Sequence, residues 1–229
     1  MEKASRRTVA TWWAELLEVD DADLWRSGVS VTRDRSGDQV LVAWRDDAVH
    51  VLLPSWVKGR TEKDLRGRGA QELTSRGFWK SLAKPLDRSV DHPTVHSYTD
   101  RQIEGARGVE VIEAREVAGW REVVKPEKWQ LSGFGAGVLR AYGVRDGRGT
   151  LAAAASLTRH RGSPPTVGVL THPAHRGRGF GSRVARAATA GSVESDGLTG
   201  YVCRADDDRA RSVGTTLTFE AYCERLVVR

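Results

Sequence analysis

The segment between Val167 and Ser182 restricts the fold of this chain more than any other. A β-type run, Pro165–Thr171, ends at His172-Pro173, and Arg176-Gly177-Arg178-Gly179-Phe180-Gly181 follows. Gly179–Ala190 then has helical spacing, with Phe180, Val184, Ala187 and Ala188 on one face and Gly191 as its expected stop. Strand, glycine loop and helix in that order make an anion site. Glycine permits positive φ and close backbone approach. The first amides of a helix lack internal partners, and the helix dipole favours negative charge there. Arg176 and Arg178 raise the potential further, so a diphosphate is the natural occupant. The glycines at 177, 179 and 181 do not have the G-x-G-x-x-G spacing of a dinucleotide loop, and no closing Gly-Lys-Ser/Thr makes a Walker loop.

Around this loop the patterning alternates between strand and helix, which predicts a mixed α/β (α+β) chain. Thr8–Glu18 reads as a helix with Trp12, Trp13, Leu16 and Leu17 on one side. Val29–Arg33, Gln39–Trp44 and Ala48–Leu53 read as a small antiparallel meander. Helices are expected over 55–66 and 70–82, and strands over Thr94–Thr99 and Val109–Ile112 on either side of a linker at Glu104–Gly108. Glu113–Val124 has amphipathic helical spacing, and Lys128–Phe134 is short helix or loop. Val138–Val144 and Leu151–Thr158 flank Arg145-Asp146-Gly147-Arg148-Gly149, a hairpin turn. Leu198–Cys203, Asp207–Leu217 and Phe219–Val228 complete the order as strand, helix and strand. The expected organisation is an N-terminal lobe at 1–105 and a second domain at 106–229. Six of the eight tryptophans precede residue 105, and core packing is their expected role.

Arg176-x-x-Gly179-x-Gly181 resembles the R/Q-x-x-G-x-G/A signature of the GNAT acyltransferases, and the run from Val169 to Gly179 resembles the branch called FR47-like. Asp207-x-x-Ala210 followed by Leu217-Thr218-Phe219 is similar to that family's Asn-x-x-Ala/Ser…Leu-Gly-Phe segment. The resemblance covers about 109–229. It implies a GNAT fold, a mixed and mostly antiparallel central sheet flanked by helices, with the N-terminal lobe a degenerate GNAT-like half. It also implies that acetyl-CoA, or another acyl-CoA, is the cosubstrate. The implied coenzyme-binding residues are Val169, Leu170, Thr171, Arg176, Gly177, Arg178, Gly179, Phe180, Gly181, Ser182 and Asp207. The backbone of Leu170 or Thr171 would steady the oxyanion as a primary amine attacks the thioester.

Two departures bear on the chemistry. Asp207 stands where the family has Asn, and a carboxylate only accepts hydrogen bonds. Gly214 stands where many members place a Tyr that protonates the departing thiolate, and Thr218 replaces the family glycine. Glu113, His172 and Tyr222 are the remaining catalytic candidates, each with a plainer structural alternative: solvated helix face, strand exit or core. The acceptor amine is a small molecule or a protein. A GNAT-fold module that holds CoA without turnover is the alternative reading, and a basic nucleic-acid-binding domain is the third.

Composition sets the bounds. The 229 residues carry a net charge of +6, yet 1–105 hold 17 basic and 17 acidic residues, so the whole excess lies in 106–229. A basic half calls for an anionic partner, and the coenzyme loop already accounts for several of its arginines. No apolar run has the length of a membrane span, the start has no signal-peptide pattern, and Cys203 and Cys223 form neither a disulfide framework nor a zinc motif. The expectations are a cytoplasmic monomer or homodimer with no metal, no membrane and no nucleic acid.

Overall fold

A computed structural model describes residues 1–34, 37–135, 137–160 and 162–229. In chain order the elements are α1 (Lys3–Leu17), β1 (Gly28–Asp34), β2 (Val40–Arg45), β3 (Ala48–Pro54), α2 (Gly59–Arg66), α3 (Ala70–Leu73), α4 (Arg76–Ala83), β4 (Thr94–Thr99), β5 (Glu110–Ile112), α5 (Pro126–Leu131), β6 (Val138–Arg145), β7 (Leu151–Thr158), β8 (Thr166–Thr171), α6 (Phe180–Asp196), β9 (Thr199–Arg204), α7 (Asp208–Thr216) and β10 (Glu220–Val228). Short 3-10 helices lie at Lys84–Leu86, Ala114–Glu122 and Pro173–His175. The chain is mixed α/β, its strands mostly antiparallel and flanked by helices. It forms two compact units. One comprises Met1–Ser5, Ser97–Cys203 and Arg209–Glu220; the other comprises Arg6–His96, Arg204–Asp208 and Ala221–Arg229.

In the unit built on Arg6–His96 the strand order is β1-β3-β2-β10-β4. β3 is the continuous run Ala48-Val49-His50-Val51-Leu52-Leu53-Pro54, buried at every position. Such a strand needs neighbours on both edges. β2 pairs antiparallel on one edge, from Arg45↔Ala48 to Leu41↔Leu52. β1 takes the other edge and runs parallel, from Gly28↔Ala48 to Asp34↔Pro54. The antiparallel meander expected from sequence is therefore corrected. The hairpin partner β2 fills one edge, and β1 crosses to the far one. Val42, Val51, Leu53, Leu65, Leu73, Trp79 and Leu226 form the core of this unit.

In the unit built on Ser97–Cys203 the order is β9-β8-β7-β6-β5. β5 to β8 are antiparallel neighbours, and β8 and β9 run parallel. α6 packs on β6, β7 and β8, burying Val184, Ala185, Ala188, Thr189, Ser192 and Val193. Small residues on β7, Ala152–Ala155, are fully buried. Gly191 is not the stop of this helix. The helix continues to Asp196 and ends at Gly197, whose φ is 72° and whose N–H donates to the Val193 carbonyl. Gly191 is interior because a Cβ there would collide with the Tyr142 hydroxyl of β6. The amphipathic segment expected over 113–124 forms a 3-10 helix at Ala114–Glu122 rather than an α-helix. Its inward residues Ala114, Val117 and Trp120 recur every third position, the 3-10 period. No helix among the described residues is long and apolar enough to cross a membrane.

Candidate functional site

β8 delivers the chain to the glycine loop. At its exit His172 caps the 3-10 turn Pro173–His175, its Nδ1 accepting from the Ala174 amide at 3.3 Å. Gly177 and Gly179 have φ of 76° and 77°, in the left-handed region that favours glycine. Nothing lies within 4 Å of where a Cβ would stand on either, so the backbone faces open space. Gly179 is the N-cap of α6 and brings no side-chain cap. The Arg183 amide donates back to the Gly179 carbonyl at 3.2 Å, whereas the amides of the first turn have no such partner in a helix. Arg176, Arg178 and Arg183 are exposed around this end. The Arg178 and Arg183 guanidinium carbons stand 5.1 and 5.9 Å from the Phe180 ring centroid. Gly181 sits against Thr171, whose Oγ1 would be 2.7 Å from a Cβ at 181. The helix start and the strand end are thus side by side.

β8 also parts from its parallel neighbour. The β8–β9 ladder consists of Thr166↔Gly200 and Val167↔Tyr201, and beyond these pairs no strand among the described residues pairs with β8 on that edge. On the other edge β8 stays paired with β7 through Ala153↔Thr171. The His172 amide donates to the Ala152 carbonyl at 3.0 Å, which fixes the alternation. The Leu170 amide points at β7, and those of Val169 and Thr171 point at the open edge. Gly168 is required because a Cβ there would strike the Ser132 carbonyl, which the Ser156 hydroxyl also binds at 2.5 Å.

The other candidates are placed as follows. Glu113 is locked in a capping box with Glu116 and lies 2.9 Å from the Arg115 guanidinium. His172 spends Nδ1 on its cap, so its neutral ring carries the proton on Nε2, and it packs edge-on against Trp120 at 5.4 Å. Tyr222 belongs to the Arg6–His96 unit. There its hydroxyl accepts from Trp25 Nε1 at 3.0 Å, Arg45 stands 5.0 Å above its ring, and burial pushes its phenol up from the ordinary range. Asp207 lies in the same unit, one residue after Asp206, which the Arg204 side chain holds at about 2. Gly214 of α7 is buried against Tyr201, whose Cδ1 would be 3.2 Å from a Cβ. Thr218 adopts the positive φ (63°) of the glycine it replaces, and its hydroxyl meets that of Thr99 at 3.0 Å.

Sequence reasoning passed over His175 and Asp146, which the fold brings together across 29 residues of chain. It also passed over a groove of about 860 Å³ in the Arg6–His96 unit, where Glu15, Glu18, Asp20, Asp21 and Asp23 outnumber Arg26 and Arg66. Among the described residues no three His, Cys, Asp or Glu side chains are grouped to hold a metal ion. Both cysteines are buried, and among the described residues neither forms a disulfide.

Comparison with known proteins bears on the stretch that carries the loop. Residues 141–228 match the model of the FR47-like protein family. The FR47-like stretch starts inside β6 and takes in β7, β8, the glycine loop, α6, β9, α7 and β10. Among solved structures, the chain is similar to a candidate acetyltransferase of the GNAT family from Novosphingobium aromaticivorans, at 23% identity over 62% of this chain and 66% of that one, with a TM-score of 0.48. It is also similar to an acetyltransferase from the GNAT family of Colwellia psychrerythraea (14% identity, 65% and 60% covered, TM-score 0.46). A third is a GCN5-related N-acetyltransferase from Kribbella flavida (19% identity, 65% and 63% covered, TM-score 0.43). The chain thus spans less than two thirds of the length of each. No curated protein matches it.

Proposed function

We propose that this protein is an acyl-CoA-dependent N-acyltransferase of the GNAT type, using acetyl-CoA and transferring the acyl group to a primary amine of a small molecule or a protein. One observation carries the reading. A glycine loop at positive φ opens the N-terminus of α6 directly beside the unpaired edge of β8. The first feature suits a diphosphate, and the second offers backbone groups to an extended amide-bearing arm. The coenzyme would supply the activated acyl group as a thioester. Arg176, Arg178, Arg183 and the amides from Gly179 to Ser182 would hold its phosphates. The open-edge amide of Thr171 would take the carbonyl oxygen as charge develops on it, and the same role is closed to Leu170. The attacking amine would form the C–N bond as the C–S bond breaks, the coenzyme would leave as the thiolate, and the amine proton would pass to water, which can in turn protonate the thiolate. Glu113 and His172 are both committed to caps.

A second reading, a coenzyme-holding module without turnover, is favoured by Gly214, which offers no proton to a departing thiolate. Calorimetry with acetyl-CoA on the wild type and on a Gly179→Trp/Gly181→Trp variant, with thiol release measured over an amine panel, tests both. Binding that is lost in the variant, with amine-dependent thiol release, is the expected result. Binding without release establishes the module instead. No binding by the wild type removes both readings.

A further inference from the structure

The β6–β7 turn is tied to the glycine loop by a chain of three polar side chains. Asp146 opens that turn. Its Oδ1 accepts from the Arg148 and Thr150 amides at 2.9 and 3.0 Å, and its own amide donates to the Thr150 carbonyl at 2.8 Å. These bonds fix the carboxylate and hold it below the ordinary carboxylate range. The second oxygen, Oδ2, faces His175 Nε2 at 3.9 Å, with the two side chains only 11% and 12% exposed. On the far side of the imidazole, Nδ1 lies 3.3 Å from Arg178 Nη1. A guanidinium donates and never accepts. Nδ1 must therefore be the acceptor, and the ring proton must sit on Nε2, toward the carboxylate. This neutral tautomer lets Nδ1 accept from Arg178 and turns the Nε2–H toward Asp146 Oδ2, 3.9 Å away.

The ring is held in place besides. The His175 amide donates to the His172 carbonyl at 2.9 Å, and the ring meets Phe180 edge-on at 6.0 Å and His172 at 5.8 Å. Among the described residues, Arg178 is otherwise an exposed side chain that stacks over the Phe180 ring. We infer that Asp146 and His175 are positioning residues: Asp146 sets the tautomer of His175, and His175 holds the Arg178 guanidinium over the start of α6, ready for a diphosphate. The inference rests on the anion-binding part of the function proposed above, not on acyl transfer. Holding a long side chain in one geometry before the ligand arrives removes part of the ordering cost of binding. The groups facing the imidazole are Asp146, Arg178 and His172.

The test uses the full chain, with inorganic pyrophosphate and acetyl-CoA as probes. Nitrogen-15 NMR of labelled histidine, assigned against His175→Leu, should show the Nε2–H tautomer for His175 in the free protein. Asp146→Asn keeps the turn, because the amide oxygen still accepts from Arg148 and Thr150. It turns an N–H toward the ring, so the tautomer should switch to Nδ1–H. Affinity for both probes should then fall about tenfold, the loss of one charge-assisted bond, with the melting temperature unchanged. His175→Leu should lose as much, and His175→Asn, which keeps an acceptor near Arg178, should recover most of it. Arg178→Ala should cost little more in the His175→Leu background than His175→Leu alone. An Nδ1–H tautomer in the wild type, or losses from His175→Leu and Arg178→Ala that simply add, would overturn the inference. If the wild type binds pyrophosphate but releases no thiol, acyl transfer fails and the positioning role stands. If it binds neither probe, both fall.

Discussion

Gly191 and Tyr142 show how finely single residues set the packing of α6. A glycine inside a helix costs about 1 kcal/mol relative to alanine, so its presence at 191 needs a reason. The reason is the Tyr142 hydroxyl, which occupies the place of a Cβ. Gly191→Ala should therefore destabilise the protein by about 1–3 kcal/mol despite the gain in helix propensity, read by urea denaturation. Tyr142→Phe in the same background should restore most of the loss. A neutral Gly191→Ala would show that the helix can shift away from β6 at no cost. Gly214 carries the same lesson for the chemistry. The Tyr201 ring fills the space beside it, so Gly214→Tyr cannot restore a phenol there without displacing Tyr201.

At the scale of elements, β3 and β4 bury two histidines whose lowered pKa values contribute to the fall in stability with acid. His50 is 2% exposed, and its Nε2 accepts from the Trp25 amide at 3.3 Å. His96 is 5% exposed, lies 3.3 Å from the Thr94 hydroxyl and packs edge-on against Trp13. Burial lowers both from their ordinary value of 6.5, with the Arg225 charge adding to the effect at His96 and Asp23 opposing it at His50. The folded chain thus keeps both neutral where the unfolded chain takes up protons. Stability is complete above the unfolded value and falls as pH drops below it, by up to about 1.4 kcal/mol per pH unit for each histidine. Thermal melts between pH 7.5 and 5 should show the fall, and His96→Gln should flatten it. A melting temperature independent of pH over that range would mean that the unfolded state gains no extra protons there.

Over the whole molecule, the charge excess lies in 106–229, and part of it is the arginine group at the start of α6. Exposed charges act through the solvent and are screened by salt. Acetyl-CoA affinity should therefore weaken several-fold between 50 and 500 mM NaCl, on the order of what screening a few exposed charge pairs removes. Arg176→Ala should reduce that salt slope, as calorimetry at each ionic strength would read. A flat slope would mean that the backbone amides alone hold the ligand. Strong salt-dependent binding of duplex DNA by the wild type would instead support the nucleic-acid reading.

The sequence alone determined whatever depends on neighbours in the chain. Most of the order of strands and helices, the glycine loop at 176–181 and the hairpin at 138–158 were readable, because periodicity and turn chemistry act over a few residues. The FR47-like stretch was readable for the same reason. What the tertiary structure decided are the pairings between distant segments. β1 runs parallel to β3 because β2 already holds the other edge. Gly191 is interior because Tyr142 reaches it from β6. The open-edge amide belongs to Thr171 rather than Leu170 because the register with β7 sets the alternation. Asp146 and His175 read separately as a turn residue and a loop residue. Only the packing of the β6–β7 turn against the end of β8 makes them one unit. Local propensity costs a few tenths of a kcal/mol to a few kcal/mol and is written in the chain, whereas partner choice is settled by which buried surfaces fit, and that sum exists only in the folded protein.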